Sequence, residues 1–383
     1  MALNNYKLGD LLMRNSEENK DLIYGISDVR GVRNTKGISN TKIDVSGRNL
    51  KTFLVVRPGG FIFNHRVHDK LGLGYNTSDE TYIFTNDYVS FYVKPEVKNR
   101  ILLPDYLYMW YLRPEFDRYM LFKTYGSATL FFSWDNMCEL EIELPDLPTQ
   151  QKYVDVYNAM VANQQAYERG LEDLKLTCDA YIEDLRKQIP PEKIGKYIEP
   201  EETTNADLQF GIADVRGVSI EKKFIETKAD MEGVSLAPYL LIQPNEFAYV
   251  PVTSRNGGKI SIALNDSDKT YICSSSYVVF RSRNIEELLP QYLMLFFSRN
   301  EFNRYSRFHS WGSAREAFDW DAMCDVQIPI PDIEIQKSIA EMYIVYNKRK
   351  KINEQLKAQI KNICPILIRG SLEDGGEPNG EPA

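Results

Sequence analysis

An internal repeat constrains this chain more than any other feature. Residues 24–185 recur at 210–371 with an offset of 186. A repeat of about 160 residues is the size of a domain rather than of a solenoid unit. Tyr24-Gly-Ile-Ser-Asp-Val-Arg-Gly-Val32 returns as Phe210-Gly-Ile-Ala-Asp-Val-Arg-Gly-Val218. Phe53–Phe63 returns as Tyr239–Tyr249, and Leu103-Pro-Asp-Tyr-Leu107 as Leu289-Pro-Gln-Tyr-Leu293. Gly126-Ser-Ala128, Trp134–Cys138 and Pro145-Asp146 return as Gly312-Ser-Ala314, Trp320–Cys324 and Pro331-Asp332. Between them Thr81-Tyr-Ile83 matches Thr270-Tyr-Ile272 at 189, so the second copy carries a three-residue insertion that is later removed. The order of these matches excludes chance.

Each copy reads as mixed α and β. Apolar, β-rich runs at Phe53–Val56, Tyr88–Val93, Tyr239–Ile242 and Tyr277–Arg281 predict strands. Leu103–Met120 and Leu289–Ser306 predict helices, with large apolar residues at helical spacing. A long heptad helix then follows each copy. In the first, Tyr153, Met160, Tyr167, Leu174 and Tyr181 recur every seven residues, with Tyr157, Leu171 and Cys178 on the same seam. In the second, Ile339, Tyr346, Asn353 and Ile360 recur every seven, joined by Met342, Leu356 and Ile363. About 40 helical residues span ~60 Å, longer than a domain of this size is wide. Each seam therefore needs a partner beyond its own domain, and the other seam is available. The expected fold is α+β: two tandem, similar mixed α/β domains, each followed by a long helix, with the helices paired as an antiparallel coiled coil. The boundaries fall at 1–148, 149–189, 190–333 and 334–370. The acidic, Gly- and Pro-rich tail 371–383 reads as disordered.

The 383 residues, 43% of them hydrophobic, suffice for two cores. No stretch approaches the ~18 apolar residues of a membrane span. Met1–Asp10 lacks the apolar run of a secretory signal, and the five cysteines include no CxxC pair. All five read as buried or half-buried thiols in a reducing cytoplasm. The formal charge of −8 argues against a free-standing nucleic-acid binder, although loops can be locally basic and partners can supply charge.

An active site is not apparent. Of the three histidines, His65 and His68 are spaced as a metal pair. The second copy has Pro251 and Ser254 there, and neither pair has a Cys or carboxylate at zinc spacing. Gly72-Leu-Gly74 reads as turn glycine rather than a nucleotide loop. There is no Walker A motif and no Asn/Asp-Pro-Pro-aromatic motif of an amino-methyltransferase. Asp146 and Asp173 lie at a domain exit and on a heptad helix, which does not make a nuclease cluster. A bivalent binding protein fits these observations. The alternatives are a single-chain DNA-modifying or nuclease enzyme and a protein-only scaffold.

Three segments per copy combine polar or basic residues with turns. The first holds Arg30, Arg33 and Lys36, matched by Arg216, Lys222 and Lys223. The second holds Asn64, Arg66, His68 and Lys70, matched by Ser254, Arg255, Asn256 and Lys259. The third holds Lys123, Thr124, Tyr125 and Ser127, matched by Arg307, His309, Trp311, Ser313 and Arg315. Arg and Lys meet phosphates or guanine edges, and Asn reads adenine. The framework matches between copies whereas these loops diverge, as expected of two units that read different targets.

On these residues the chain resembles the specificity (S) subunit of type I restriction–modification systems. The resemblance rests on the GISDVRG and GIADVRG segments and on Gly-Ser-Ala followed by a strand ending in Pro-Asp. Gln150-Gln-Lys152 and Ile335-Gln-Lys337 then open the long helices. One departure is the missing second proline in Pro331–Gln336. The resemblance implies two target-recognition domains, each reading half of a split site in double-stranded DNA. It also implies a helical spacer that binds two methyltransferase (modification) subunits, with restriction (translocase–nuclease) subunits joining them. S-adenosylmethionine and the catalytic residues then belong to the partners, with no cofactor on this chain.

Overall fold

The computed structural model describes residues 3–41, 44–126, 130–227, 229–253, 258–312 and 315–376. Two compact units divide it. The first joins the chain up to Ala166 with the chain from Asn353 onward, and the second is Tyr167–Ile352.

In the first unit an antiparallel sheet orders its strands Leu12–Asn15, Tyr88–Val93, Phe61–Asn64 and Leu73–Tyr75. Alternation along Tyr88–Val93 sends Phe91 and Val93 into the main core. There Phe91 stacks on Phe61, their ring centroids 5.1 Å apart. Short ribbons flank the sheet, among them the hairpin of Arg30–Val32 with Ile38–Asn40 and the pair Arg66–Val67 with Leu130–Phe131. The second unit repeats the sheet with Ile198–Glu201, Val278–Ser282, Phe247–Tyr249 and Ile262–Leu264. Equivalent strands at Leu12 and Ile198 take the structural repeat further upstream than the sequence match, which begins at Tyr24. The early strand is followed by another shared detail. A Cβ on Gly9 would lie 2.9 Å from Cys138 Cβ, and one on Gly195 would lie 2.7 Å from Cys324 Cβ. This close approach explains the repeat-related glycines and ties both cysteines to packing. All five cysteines are free thiols.

The expected helix Leu103–Met120 is two helices, Pro104–Tyr111 and Pro114–Lys123. Pro114 has no N–H to continue a helix and drives Arg113 into an extended conformation. Leu289–Ser306 is likewise split into Pro290–Ser298 and Asn300–Phe308. The break there is Arg299, extended without a proline and held by Asp179 at 3.1 Å and Glu183 at 2.6 Å.

The long helices run Leu147–Gln188 and Ile333–Gly376. Each contributes to both units. In the first unit, Tyr153, Val154 and Tyr157 share a core with Ile363, Cys364, Leu367 and Ile368. In the second, Cys178, Ile182 and Leu185 share one with Ile339, Met342 and Tyr343. Lys152 pairs with Asp374 and Gln164 with Asn353, so the segments are antiparallel within the first unit. The seam residues Tyr153, Tyr157, Met160, Tyr167, Leu171, Leu174 and Cys178 are buried or half-buried, as are Ile339, Met342, Tyr346, Asn353, Leu356, Ile360 and Ile363. Tyr181 is not on the seam: it is 42% exposed, and Ile182 takes its place at 0%. A helix of 3.6 residues per turn drifts off a seven-residue repeat, and Ile182 absorbs the drift.

The first part of the expected tail is ordered. Ser371–Gly376 is helical rather than disordered. The Ser371 hydroxyl meets that of Tyr106 at 2.6 Å in the core, and Leu372 packs on the same cluster. Tertiary contacts outweigh the local Gly-rich composition. Residues 377–383 lie outside the described residues.

Candidate nucleic-acid interface

The repeated GI(S/A)DVRG segment builds a rigid loop. Gly25 N–H donates to Asp28 Oδ2 at 2.8 Å, and Gly211 N–H to Asp214 Oδ2 at 3.0 Å. Arg30 Nη1 donates to the carbonyls of Ser27 and Val29, and Arg216 Nη1 to those of Ala213 and Val215. Their guanidinium groups cover the rings of Tyr82 and Tyr271 at 4.5 and 4.7 Å. Buried Asn19 and Asn205 tie the preceding turn through Tyr24 and Phe210. The helix-opening glutamines are staples of the same kind. Gln150 Nε2 donates to the Ile101 and Pro145 carbonyls while its Oε1 accepts from Leu103 N–H. Gln336 does the same with Glu287, Pro331 and Leu289.

The three variable segments meet within each unit. In the first, the pairing of Arg66–Val67 with Leu130–Phe131 joins the second and third segments, and His65 stacks on Phe131 at 5.5 Å. Arg33 is exposed, whereas Lys36 turns inward from the hairpin to Asp117 at 2.5 Å. Asp117 stands on the helix that ends at Lys123, so the first segment reaches the third. Arg66, His68 and Lys70 are exposed, and Asn64 Oδ1 is engaged by Arg66 N–H at 3.0 Å. Lys123 pairs with Glu139 at 3.4 Å, and the Thr124 hydroxyl bonds the Leu121 carbonyl at 2.7 Å. Ser127 lies outside the described residues.

In the second unit, Thr253 N–H donates to the Glu316 carbonyl at 2.9 Å, joining the same two segments. Lys259 pairs with Glu221 at 3.4 Å on the first segment's hairpin. Arg307 bonds Glu316, the His309 ring lies tilted against Tyr305 with centroids 4.2 Å apart, and Arg315 and Lys223 are exposed. Lys222 turns inward over Phe302. Burial, and then the charge of Lys259, pushes its amine down to about 7. Ser254, Arg255, Asn256 and Ser313 lie outside the described residues.

Sequence reasoning missed two features here. Glu139, Glu221 and Glu316 temper the basic character of the loops. In addition, Phe122 and Phe308 stand 83% and 73% exposed beside Tyr125 and Trp311 at 60% and 69%. Both aromatic pairs are related by the repeat, which was the available signal. Among the described residues no group of three His, Cys, Asp or Glu side chains is placed to hold a metal ion. No helix among them is long and apolar enough to cross a membrane.

Two similar α+β units thus each bring variable polar loops together on a repeated frame. Residues 222–362 match the family described as Type I restriction modification DNA specificity domain. That match lies within the second copy and the helix that follows it, so those residues are similar to a type I restriction–modification DNA specificity domain. The fold resembles that of the type I restriction–modification S subunit from M. genitalium, with a TM-score of 0.57 at 10% identity, covering 100% of this chain and 97% of that one. The HsdS subunit from Thermoanaerobacter tengcongensis aligns at a TM-score of 0.39 and 13% identity, covering 98% and 97% of the two chains. A chain from a structure of complex assembly and conformational transition of the type I R-M system aligns at 0.46 and 12%, covering 97% and 98%. No curated protein matches in sequence.

Proposed function

We propose that each unit reads one half of a bipartite, asymmetric DNA site. The domains 1–148 and 190–333 act as the readers, and the helices 149–189 and 334–370 space them and hold two methyltransferase subunits. Restriction subunits join through those partners, S-adenosylmethionine stays on the methyltransferases, and the complex works on DNA in the cytoplasm. One observation carries this reading: the frame is duplicated bond for bond, while the three loops that converge on it differ. An invariant frame with divergent loops is how two readers acquire different targets. Arg33, Arg66 and Lys70 in the first unit, and Arg307 and Arg315 in the second, are the side chains that would meet phosphates and base edges, joined by Arg255 as a candidate from the sequence alone.

Methylome sequencing of cells carrying the system tests it. The expected motif is split and asymmetric, with halves about ten base pairs apart so that both readers face one side of the duplex. Arg315→Ala relaxes the second half only. A continuous palindrome, or equal relaxation of both halves, overturns the two-reader model. Absence of duplex binding in a mobility-shift assay with the methyltransferase partner present supports a protein-only scaffold instead.

A further inference from the structure

The repeat places one buried lysine site at the position of another, with the lysine's partner changed. Lys36 and Lys222 occupy the same hairpin turn, both with left-handed backbone, φ +65° and +59°. Each amine lies over a phenylalanine, Phe116 at 5.4 Å and Phe302 at 5.3 Å. In the first unit Lys36 Nζ is bonded to Asp117, with the lysine side chain only 4% exposed. The repeat places Asn303 where Asp117 stands. There Lys222 Nζ and Asn303 Oδ1 are both buried without a hydrogen-bond partner among the described residues. The charge bearing on Lys222 is that of Lys259, which is repulsive and paired with Glu221 from the same turn.

The two lysines therefore respond differently to an anion outside. Withdrawing Lys36 would strand a buried carboxylate, which is strongly unfavourable. Withdrawing Lys222 breaks no polar contact and relieves an unpaired donor. We propose that Lys222 is a latent phosphate contact of the second unit, which leaves its site over Phe302 to meet the DNA backbone, while Asp117 bars Lys36 from the same move. This rests on the reading of the second unit as a DNA-recognition module. Burial lowers the proton affinity of the amine, and its neutral fraction takes up a proton from solvent as it meets the phosphate. The second unit thereby gains an ionic contact that the first lacks.

The test is the salt dependence of binding by the full-length chain to a random-sequence 40-base-pair duplex, read by fluorescence anisotropy. Each phosphate contact contributes about 0.9 to the slope of log affinity against log salt. Lys222→Met is expected to lower the slope by about 0.9, a difference of roughly 3.5-fold in affinity over a fourfold change in salt. Asn303→Asp, which reinstates the pair of the first unit, lowers it equally and covers the case in which Lys222→Met fails to fold. Lys36→Met with Asp117→Leu leaves the slope unchanged. The proposal is overturned if Asn303→Asp keeps the parent slope, or if removing the Lys36–Asp117 pair lowers it as much. If the parent chain binds no duplex even with its methyltransferase partner present, the DNA reading itself fails, whatever Lys222 does.

Discussion

Gln164 Nε2 donates to Asn353 Oδ1 at 2.9 Å, with the two side chains 8% and 6% exposed. This polar pair lies in the otherwise apolar seam of the two helices, at the inner limit of the first unit. A buried amide pair contributes little net stability, but it penalises any register that separates its members. Asn353→Leu is expected to cost about 1–3 kcal/mol, because Gln164 loses this hydrogen bond at a buried position. Adding Gln164→Leu should recover most of that loss while loosening the register. Denaturant titration of the two variants checks this. A double variant no more stable than the single one refutes it.

The first unit depends on the last helical segment of the chain. Cys364, Leu367 and Ile368 belong to the same core as Leu107 and Met109. A chain ended after Ile352 should lose protection of Pro104–Tyr111 from hydrogen exchange, although those residues are distant in sequence. The sheet of the second unit, whose core draws on Ile339, should keep its protection. Exchange measured by mass spectrometry discriminates. Unchanged protection of the first unit would show that the contact carries no stability.

Lys222 makes the second unit sensitive to pH. Its folded-state value of about 7 lies below the ordinary 10.5. Between these values the unfolded chain binds more protons than the folded one, so stability rises with pH through that window. Burial is the first cause, and Lys259 the second. Lys222→Met should therefore be more stable than the parent at pH 7, with its advantage shrinking as pH approaches 10. Thermal melts across that range measure it, and a constant difference would mean that the amine is not desolvated.

Arg30 and Arg216 are held by their own loops. Arg30→Lys loses the fork to the Ser27 and Val29 carbonyls and most of the contact with Tyr82. The expected cost is about 1–3 kcal/mol of first-unit stability. An arginine free to read bases would show no such loss, so a denaturation midpoint equal to the parent's contradicts the structural role.

The duplication, the mixed α/β class and the heptad helices were legible in the linear sequence, because repetition and periodicity are properties of residue order. Local chemistry was legible wherever it is decided locally, as in the helix that Pro114 interrupts, had its effect on Arg113 been weighed. Other features needed the third dimension. Arg30 and Lys36 look alike as basic loop residues, yet one braces its own turn and the other is buried against Asp117, 81 positions away. No short-range pattern announces such a partner. Ile182 replaces Tyr181 on the seam because helical drift accumulates only along a real helix. Ser371–Gly376 is helical because Tyr106 and Lys152 hold it there. Sequence order fixed which elements form and that they form twice. Packing decided which cations remain free, since burial and pairing depend on groups that only folding brings together.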